Sequence, residues 1–583
     1  MRQKHLVNDP TQLVQASLQS VSLTNASCLV DLEKQIVYAP SSISDDKVAI
    51  VSGGGAGHEP SFTGFVGPGI LTAAVSGTVF ASPNSKQVLA AIGKVKAASG
   101  VLVTVMNYTG DVMNFGVAIE KAKALHTDAR IEMLVVGDDV SVPRTQAGKV
   151  GRRGIAGTVL VHKITGAMAA SGINLNEIVR VGRLVVDNLV SIGASLDRVH
   201  VPGRTVTEDT GLQPDELELG MGIHNETGTE KRRGASKELP NLVRDMLKQL
   251  LDPKDEERAF LTSTSANMVL LLNSLGGLSV LELGAVLTEV HKQLGLTYSI
   301  KPTRIYSGTF MTALDGPGFS ISLLNADLDP NTDVVGLLDT PSDTIGWSVP
   351  QHQPTRPLEE AESSPVALHS TLNGMENGWT LPSADMQLTL HRLGCGLRAL
   401  IDVEPEVTKF DTIVGDGDCG TTLRRGAEEI MKRLDNQPSS VTSLLSLIVS
   451  AVEDTMDGTS GALYSIFINA LLQRFCQKPD EVFAATTWSL ALNHALSVLS
   501  RYTPARTGDR TVIDALDPFV QSLSTGGDLA EAAKKAQEAA EGTKHLKAKL
   551  GRTVYIGGGE DWLGKIPDPG AYALAAFLKG LAS

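Results

Sequence analysis

Short, uninterrupted apolar runs punctuate the first part of the chain. Lys47–Ser52 (KVAIVS), Val101–Met106 (VLVTVM) and Ile131–Val136 (IEMLVV) are too short for core helices and read as buried strands. Each run is followed by a loop of small or polar residues: Gly53–Gly57, Asn107–Asp111 and Gly137–Asp139. A helical period runs from about Phe115 to Leu125. Strand, loop and helix in repetition predict a mostly parallel α/β sheet. Ligands of such sheets gather at the carboxyl ends of the strands, where these loops lie. A second α/β block is expected over Val199–Leu337, with strands at Met268–Leu272 and Phe319–Leu324 and a helix at Val280–Leu294.

The pattern changes at Thr340. Pro341, Pro350, Pro354, Pro357, Pro365 and Pro382 interrupt any regular element, which predicts a linker. Beyond it the period is helical: Val441–Met456, Ala462–Phe475, Glu481–Ser500 and Leu529–Glu541. The expected organisation is therefore an α/β domain of two subdomains over 1–340, a Pro/Ser-rich linker over 341–384, and an all-α domain over 385–583. A length of 583 residues agrees, since single cores stop growing at roughly 250–300 residues.

Charge narrows the function. A net charge of −14 disfavours nucleic-acid binding, whose footprint is basic. No apolar run is long enough for a membrane span, and the first ten residues have no apolar core of a secretory leader. Four cysteines without a CxxC pair are no disulfide framework, and a cytoplasmic location is expected.

Four stretches carry candidate chemistry. Gly53–Ser61 (GGGAGHEPS) lets backbone approach a ligand and sets His58 beside it, although such a run is equally a tight turn. In Asn107–Asp111 (NYTGD), Asp111 follows a strand end and suits a general base, with a turn aspartate as the plain alternative. Gly220–Glu226 (GMGIHNE) holds His224 among glycines. Asp411–Thr422 (DTIVGDGDCGTT) places Asp411, Asp416 and Asp418 within eight residues, where the carboxylates repel unless a cation joins them. Mg²⁺ takes such oxygens together with phosphate. An EF-hand loop counted from Asp411 fails, because its sixth position is Asp416 and its twelfth Thr422. There is neither a Walker A sequence nor a protein-kinase motif set. Asp457–Ala462 and Pro567–Ala571 are further Gly-bearing turns; the first precedes a predicted helix.

Together with GDDV (137–140) and VGRRGIAGTVLVHKI (150–164), these stretches resemble the ATP-dependent dihydroxyacetone kinase family, in its single-chain fungal form. The resemblance covers nearly the whole chain in the family's order. It implies a substrate domain in two α/β parts and a nucleotide domain built as a barrel of helices. It implies that His224 holds dihydroxyacetone as a covalent hemiaminal, that Asp111 is the base, and that His58 is a second polar group on the substrate oxygens. Gly55, Ala56 and Gly57 would form a backbone cradle. Asp411, Asp416 and Asp418 would hold two Mg²⁺ ions bridging the ATP phosphates. Cys419, Gly420, Thr421, Thr422, Thr459, Ser460, Thr511, Val512, Asp568, Pro569 and Gly570 would contact nucleotide. A homodimer is implied as well.

Three positions depart from the family pattern. Met106 stands where a substrate-contacting lysine is usual, Thr503 stands where a glycine is common, and Arg552–Ile556 is irregular. Two further activities stay open beside the kinase. One is a catalytically weak carbonyl-binding regulator, which Met106 alone favours. The other is a lyase that cyclises FAD to cyclic FMN in the same nucleotide domain.

Overall fold

The computed structural model describes residues 4–95, 99–126, 128–148, 150–204, 211–261, 263–347, 379, 381–435, 437–476, 485–550, 553 and 562–583. The chain divides into two units, Met1–Pro357 and Leu358–Ser583. Most of the expected linker, 348–378 and 380, lies outside the described residues, as do 481–484 of one predicted helix and 552 and 554–556.

The first unit opens on a sheet of β1 (Leu29–Asp31), β2 (Ile36–Tyr38), β3 (Ala49–Ala56), β4 (Ala73–Val79), β5 (Val101–Met106) and β6 (Ile131–Val136), in the order β1-β2-β4-β3-β5-β6. Strands β4, β3, β5 and β6 run parallel, while β1 and β2 form an antiparallel edge. Helices α1 (Pro10–Thr24), α2 (Ser85–Lys94), α3 (Thr109–Leu125), α4 (Arg144–Ala147), α5 (Thr158–Ala170) and α6 (Leu175–Asp187) accompany it. Residues Thr158–Ala169 of α5 are all buried, including the polar Thr158, His162, Lys163 and Thr165.

One expectation is corrected here. Gly53–Ala56 are not a loop but the second half of β3, every residue buried. The glycines are needed because neighbours leave no room. A Cβ on Gly53 would lie 2.2 Å from Val75 O, one on Gly54 2.7 Å from the Phe62 ring, and one on Gly55 2.7 Å from Ala81 N.

The second sheet comprises β7 (Leu189–Ser195), β8 (Glu216–Leu219), β9 (Glu230–Arg233), β10 (Met268–Ser274), β11 (Arg304–Gly308) and β12 (Gly318–Asn325), in the order β11-β10-β12-β7-β8-β9. It starts before Val199, and only the β10/β11 pair is parallel. Helices α7 (Leu239–Leu251) and α8 (Val280–Tyr298) bury Met246, Leu247, Val290 and Leu294 in one core with β10 and β12. A short helix, α9 (Val334–Asp339), follows, and buried Lys163 donates to the carbonyls of Leu337 (3.2 Å) and Thr340 (2.6 Å) at its end.

The second unit is helical throughout its described residues: α10 (Ser383–Asp402), α11 (Glu404–Val414), α12 (Cys419–Leu434), α13 (Val441–Thr455), α14 (Gly458–Cys476), α15 (Ala485–Tyr502), α16 (Ile513–Ser524), α17 (Leu529–Gly542) and α18 (Pro569–Ala582). From α12 to α18 each helix packs on the next, α18 returns to α10, and α10 closes on α12. The ring encloses an apolar interior lined by Leu397, Leu423, Leu444, Phe467, Leu516 and Leu574. Among the described residues no helix is long and apolar enough to cross a membrane.

Candidate active site

In the first unit, β3 ends at Ala56 and Gly57 turns the chain with φ 100°, a conformation that suits glycine. Its carbonyl accepts from Leu314 N at 2.7 Å, which ties the turn to the segment between β11 and β12. The next residue, His58, is fully buried. Its Nδ1–H donates to Thr312 O at 2.8 Å, and its Nε2 lies 2.9 Å from His224 Nε2. Phe80 stacks on the ring at 5.3 Å. Burial, with His224 alongside, pushes His58 down to about 3, so the ring is neutral.

His224 lies on the loop between β8 and β9, followed by Asn225 at φ 64°. The loop is pinned from several sides. Asn225 exchanges hydrogen bonds with the backbone of Val199 at 2.9 and 2.8 Å. Arg153 forms an ion pair with Asp139 at 2.7 Å and donates to Gly220 O at 2.9 Å. Glu226 accepts twice from His224: its Oε1 is 3.0 Å from Nδ1, and its Oε2 takes the backbone N–H at 2.9 Å. Burial opposes the charge of Glu226, but the hydrogen bonds and charge of His224 bring its carboxyl down to about 2. Phe80 and Tyr108 meet the His224 ring at near-perpendicular angles, with centroids 5.2 and 4.8 Å away.

Asp111 is on a helix, not in the expected loop: it is the third residue of α3 and only 5 % exposed. Burial raises its carboxyl, while a Ser82 hydrogen bond and the charge of His224 pull the other way. Its Oδ1 is buried without a hydrogen-bond partner among the described residues, as is the Tyr108 hydroxyl. Unpartnered buried polar atoms are costly in a finished core, and here two border the paired histidines.

Two of the expected contact positions have partners within the protein. Met106 is 2 % exposed, belongs to the apolar cluster of Val136 and Ile155, and its Cβ lies 2.8 Å from where a Cβ on Gly154 would stand. It is a packing residue: strand alternation turns its side chain into the core. The backbone of Gly55–Gly57 is engaged within the protein too; Gly57 N donates to Glu59 Oε2 at 2.9 Å, and Ala56 O accepts from Phe80 N at 2.9 Å.

In the second unit, Asp411 lies in the last turn of α11, and Asp416 and Asp418 lie in the short connection to α12. One carboxylate oxygen of each lies within 4.8 Å of the others. Three hard oxygen donors this close suit a divalent cation. Asp411 Oδ2 also accepts from Cys419 N at 3.0 Å, which fixes the start of α12. Cys419, Gly420, Thr421 and Thr422 form that first turn; Thr459 and Ser460 form the first turn of α14. The Ser460 side chain hydrogen-bonds Cys419, whose thiol is pushed up to about 12 by burial, Asp411 and Asp568, and so stays protonated. Thr511 N donates to Asp514 Oδ2 at 2.8 Å, and Val512 immediately precedes α16. Asp568 caps α18 through Ala571 N at 2.8 Å, with Pro569 and Gly570 in the first turn. A Cβ on Gly570 would touch Val512 Cβ at 3.6 Å. Four helix N-termini thus converge beside the aspartates, and such termini favour phosphate.

A pair of histidines, His58 fully buried, near a buried carboxylate in one unit, and an acidic triplet beside helix N-termini in the other, fit a small-molecule kinase. Residues 19–346 match the Dak1 domain and residues 413–583 the DAK2 domain. The chain is 42 % identical to the dihydroxyacetone kinase of Pichia angusta over 607 residues, covering 100 % of this chain and 98 % of that one. It is 37 % identical to the triokinase/FMN cyclase of Homo sapiens over 547 residues, covering 92 % and 91 %. The dihydroxyacetone kinase of C. freundii in complex with AMP-PNP and Mg²⁺ matches with a TM-score of 0.62 at 32 % identity, covering 100 % and 99 %. The chain belongs to the dihydroxyacetone kinase family.

Proposed function

We propose that this protein phosphorylates dihydroxyacetone, and also glyceraldehyde, with ATP as donor. The observation that carries the reading is the His224–His58 contact of 2.9 Å near the buried Asp111 carboxylate, whose Oδ1 has no hydrogen-bond partner among the described residues. His224 Nε2 adds to the substrate carbonyl carbon and holds it as a hemiaminal. An alcohol such as glycerol offers no electrophilic carbon there and is refused. His58, with Nδ1 committed to Thr312, has Nε2 for a substrate oxygen. Asp111, whose carboxyl burial raises, takes the proton of the terminal hydroxyl as it attacks phosphorus.

Residues 1–340 serve as the substrate domain and 385–583 as the nucleotide domain. Asp411, Asp416 and Asp418 would hold Mg²⁺, two ions in this reading, and bound Mg²⁺ supplies neutralisation of phosphate charge. The first turns of α12, α14, α16 and α18 orient the nucleotide with their backbone N–H groups. The reading extends to a cytoplasmic homodimer.

The relative named triokinase/FMN cyclase favours one second reading, FAD cyclisation in the same nucleotide domain. A coupled assay of ADP release with ATP and Mg²⁺ tests the first, and detection of AMP and cyclic FMN released from FAD tests the second. Turnover of dihydroxyacetone and glyceraldehyde, without turnover of glycerol, is the expected result. Turnover of FAD alone would replace the first reading by the second, and turnover of glycerol would overturn the role of His224.

A further inference from the structure

The hydrogen bonds around His224 fix where its protons are. His58 spends its single ring proton on Thr312 O at 2.8 Å, so its Nε2 carries a lone pair. The partner at 2.9 Å, His224 Nε2, must then be the donor. On the other side of the ring, Nδ1 stands 3.0 Å from Glu226 Oε1, and a carboxylate accepts only. His224 therefore bears both ring protons in this arrangement, an imidazolium set against the Glu226 carboxylate.

We propose that Glu226 is the counter-ion and positioning residue of the substrate-bearing imidazole, matched to a ring that is cationic both before and after dihydroxyacetone is attached. This rests on the hemiaminal reading above and goes beyond it by assigning Glu226.

The step balances without a further reactant. The Nε2 proton passes to the lone pair of His58 Nε2. The freed Nε2 pair forms the bond to the carbonyl carbon, the π pair of the C=O moves to oxygen, and that oxygen takes the proton back from His58. One C–N and one O–H bond form as one N–H and one C–O π bond break. The ring begins as Nδ1–H, Nε2–H⁺ and ends as Nδ1–H, Nε2–C⁺. Its charge is unchanged, and the carboxylate beside Nδ1 offsets, in the attached ring, a charge that can no longer leave through Nε2.

The geometry suits this task better than a passive loop contact. Glu226 grips both the ring and the backbone of His224, at 3.0 and 2.9 Å, so the imidazole cannot turn without losing the carboxylate. Gly222 makes room: a Cβ there would fall 2.0 Å from Glu226 Oε2 and 2.6 Å from Arg153 Nη1.

The test uses the full chain with histidine labelled in ¹⁵N and dihydroxyacetone labelled in ¹³C at C2. In the native protein a one-bond carbon–nitrogen coupling reports the hemiaminal. Glu226→Gln keeps the size and removes the charge. The expected result is a coupled signal reduced several-fold and KM raised about tenfold or more, with kcat at saturation within about threefold, the pattern of lost binding rather than lost chemistry. Glu226→Asp, which restores the charge, should recover part of both signal and KM. If Glu226→Gln keeps the full coupled signal and the native KM, the proposal falls while the hemiaminal reading stands. If the native protein shows no coupling, both fall.

Discussion

Asp111 and Met106 show how far a single residue can be read from the chain. Asp111 was expected after a strand end, and it does stand there. That it is the third residue of α3, and so near the positive end of a helix dipole, follows from a helix that starts six residues before its apolar period becomes visible. Asp111→Asn removes the proposed base and leaves His224 untouched. It should lower kcat by about 10²–10⁴-fold while the hemiaminal still forms, and retained turnover would refute the assignment. The resemblance implies a substrate contact at Met106, whereas its side chain is buried in the core, and that position decides what a lysine there would do. Met106→Lys buries an ammonium among Val136 and Ile155. Its melting temperature should drop by several degrees, with no gain in KM for dihydroxyacetone. Glu226, Arg153, Phe80 and Thr312 escaped notice. The first two sit inside the motifs quoted, but neither has a spacing that marks a role; the other two reach the histidines only through the fold.

At the level of elements, local period served well where neighbours in sequence decide the structure. Val101–Met106, Ile131–Val136 and the helices of the second unit are examples. It failed where distant partners decide. Gly53–Ala56 look like a loop until β4 lies against them, and the largely antiparallel second sheet depends on β12 inserting between β10 and β7, more than a hundred residues upstream for the latter. The meeting of four helix N-termini was equally invisible, and it has a consequence for pH. Burial raises the Asp568 carboxyl to about 6, with Asp514 and Asp411 adding to the effect. A raised carboxyl contributes stability below its unfolded value near 4 and loses it as pH rises through about 6. Without divalent cation, Asp568→Asn, which can still cap α18, should therefore melt higher than the native protein at pH 7.5 and equally at pH 4. A native protein more stable than the variant at pH 7.5 would contradict this.

For the whole molecule, the change of pattern at Thr340 announced two kinds of architecture, and the chain does pass from α/β to all-α. On the proposed reading, substrate capture and metal binding are therefore separable. Asp416→Asn should abolish Mg²⁺-dependent turnover and leave hemiaminal formation at native strength, because Asp416 and His224 belong to different units. If kcat stays within about threefold of native, roughly 0.7 kcal/mol, the metal role of the triplet is wrong. Loss of the carbon–nitrogen coupling in the same variant would show that the units do not bind independently.

The crowding along β3 also bears on how this protein can vary over time. Every glycine codon has the form GGN, so any single-base change that alters the amino acid brings in a residue with a Cβ, or a stop. At Gly53, Gly54 and Gly55 that atom meets Val75 O, the Phe62 ring or Ala81 N at 2.2–2.7 Å. Three successive codons thus have only synonymous neighbours within tolerance. The stretch is open to drift at its third bases and closed at its first two, and a saturation library across it should return glycine almost alone.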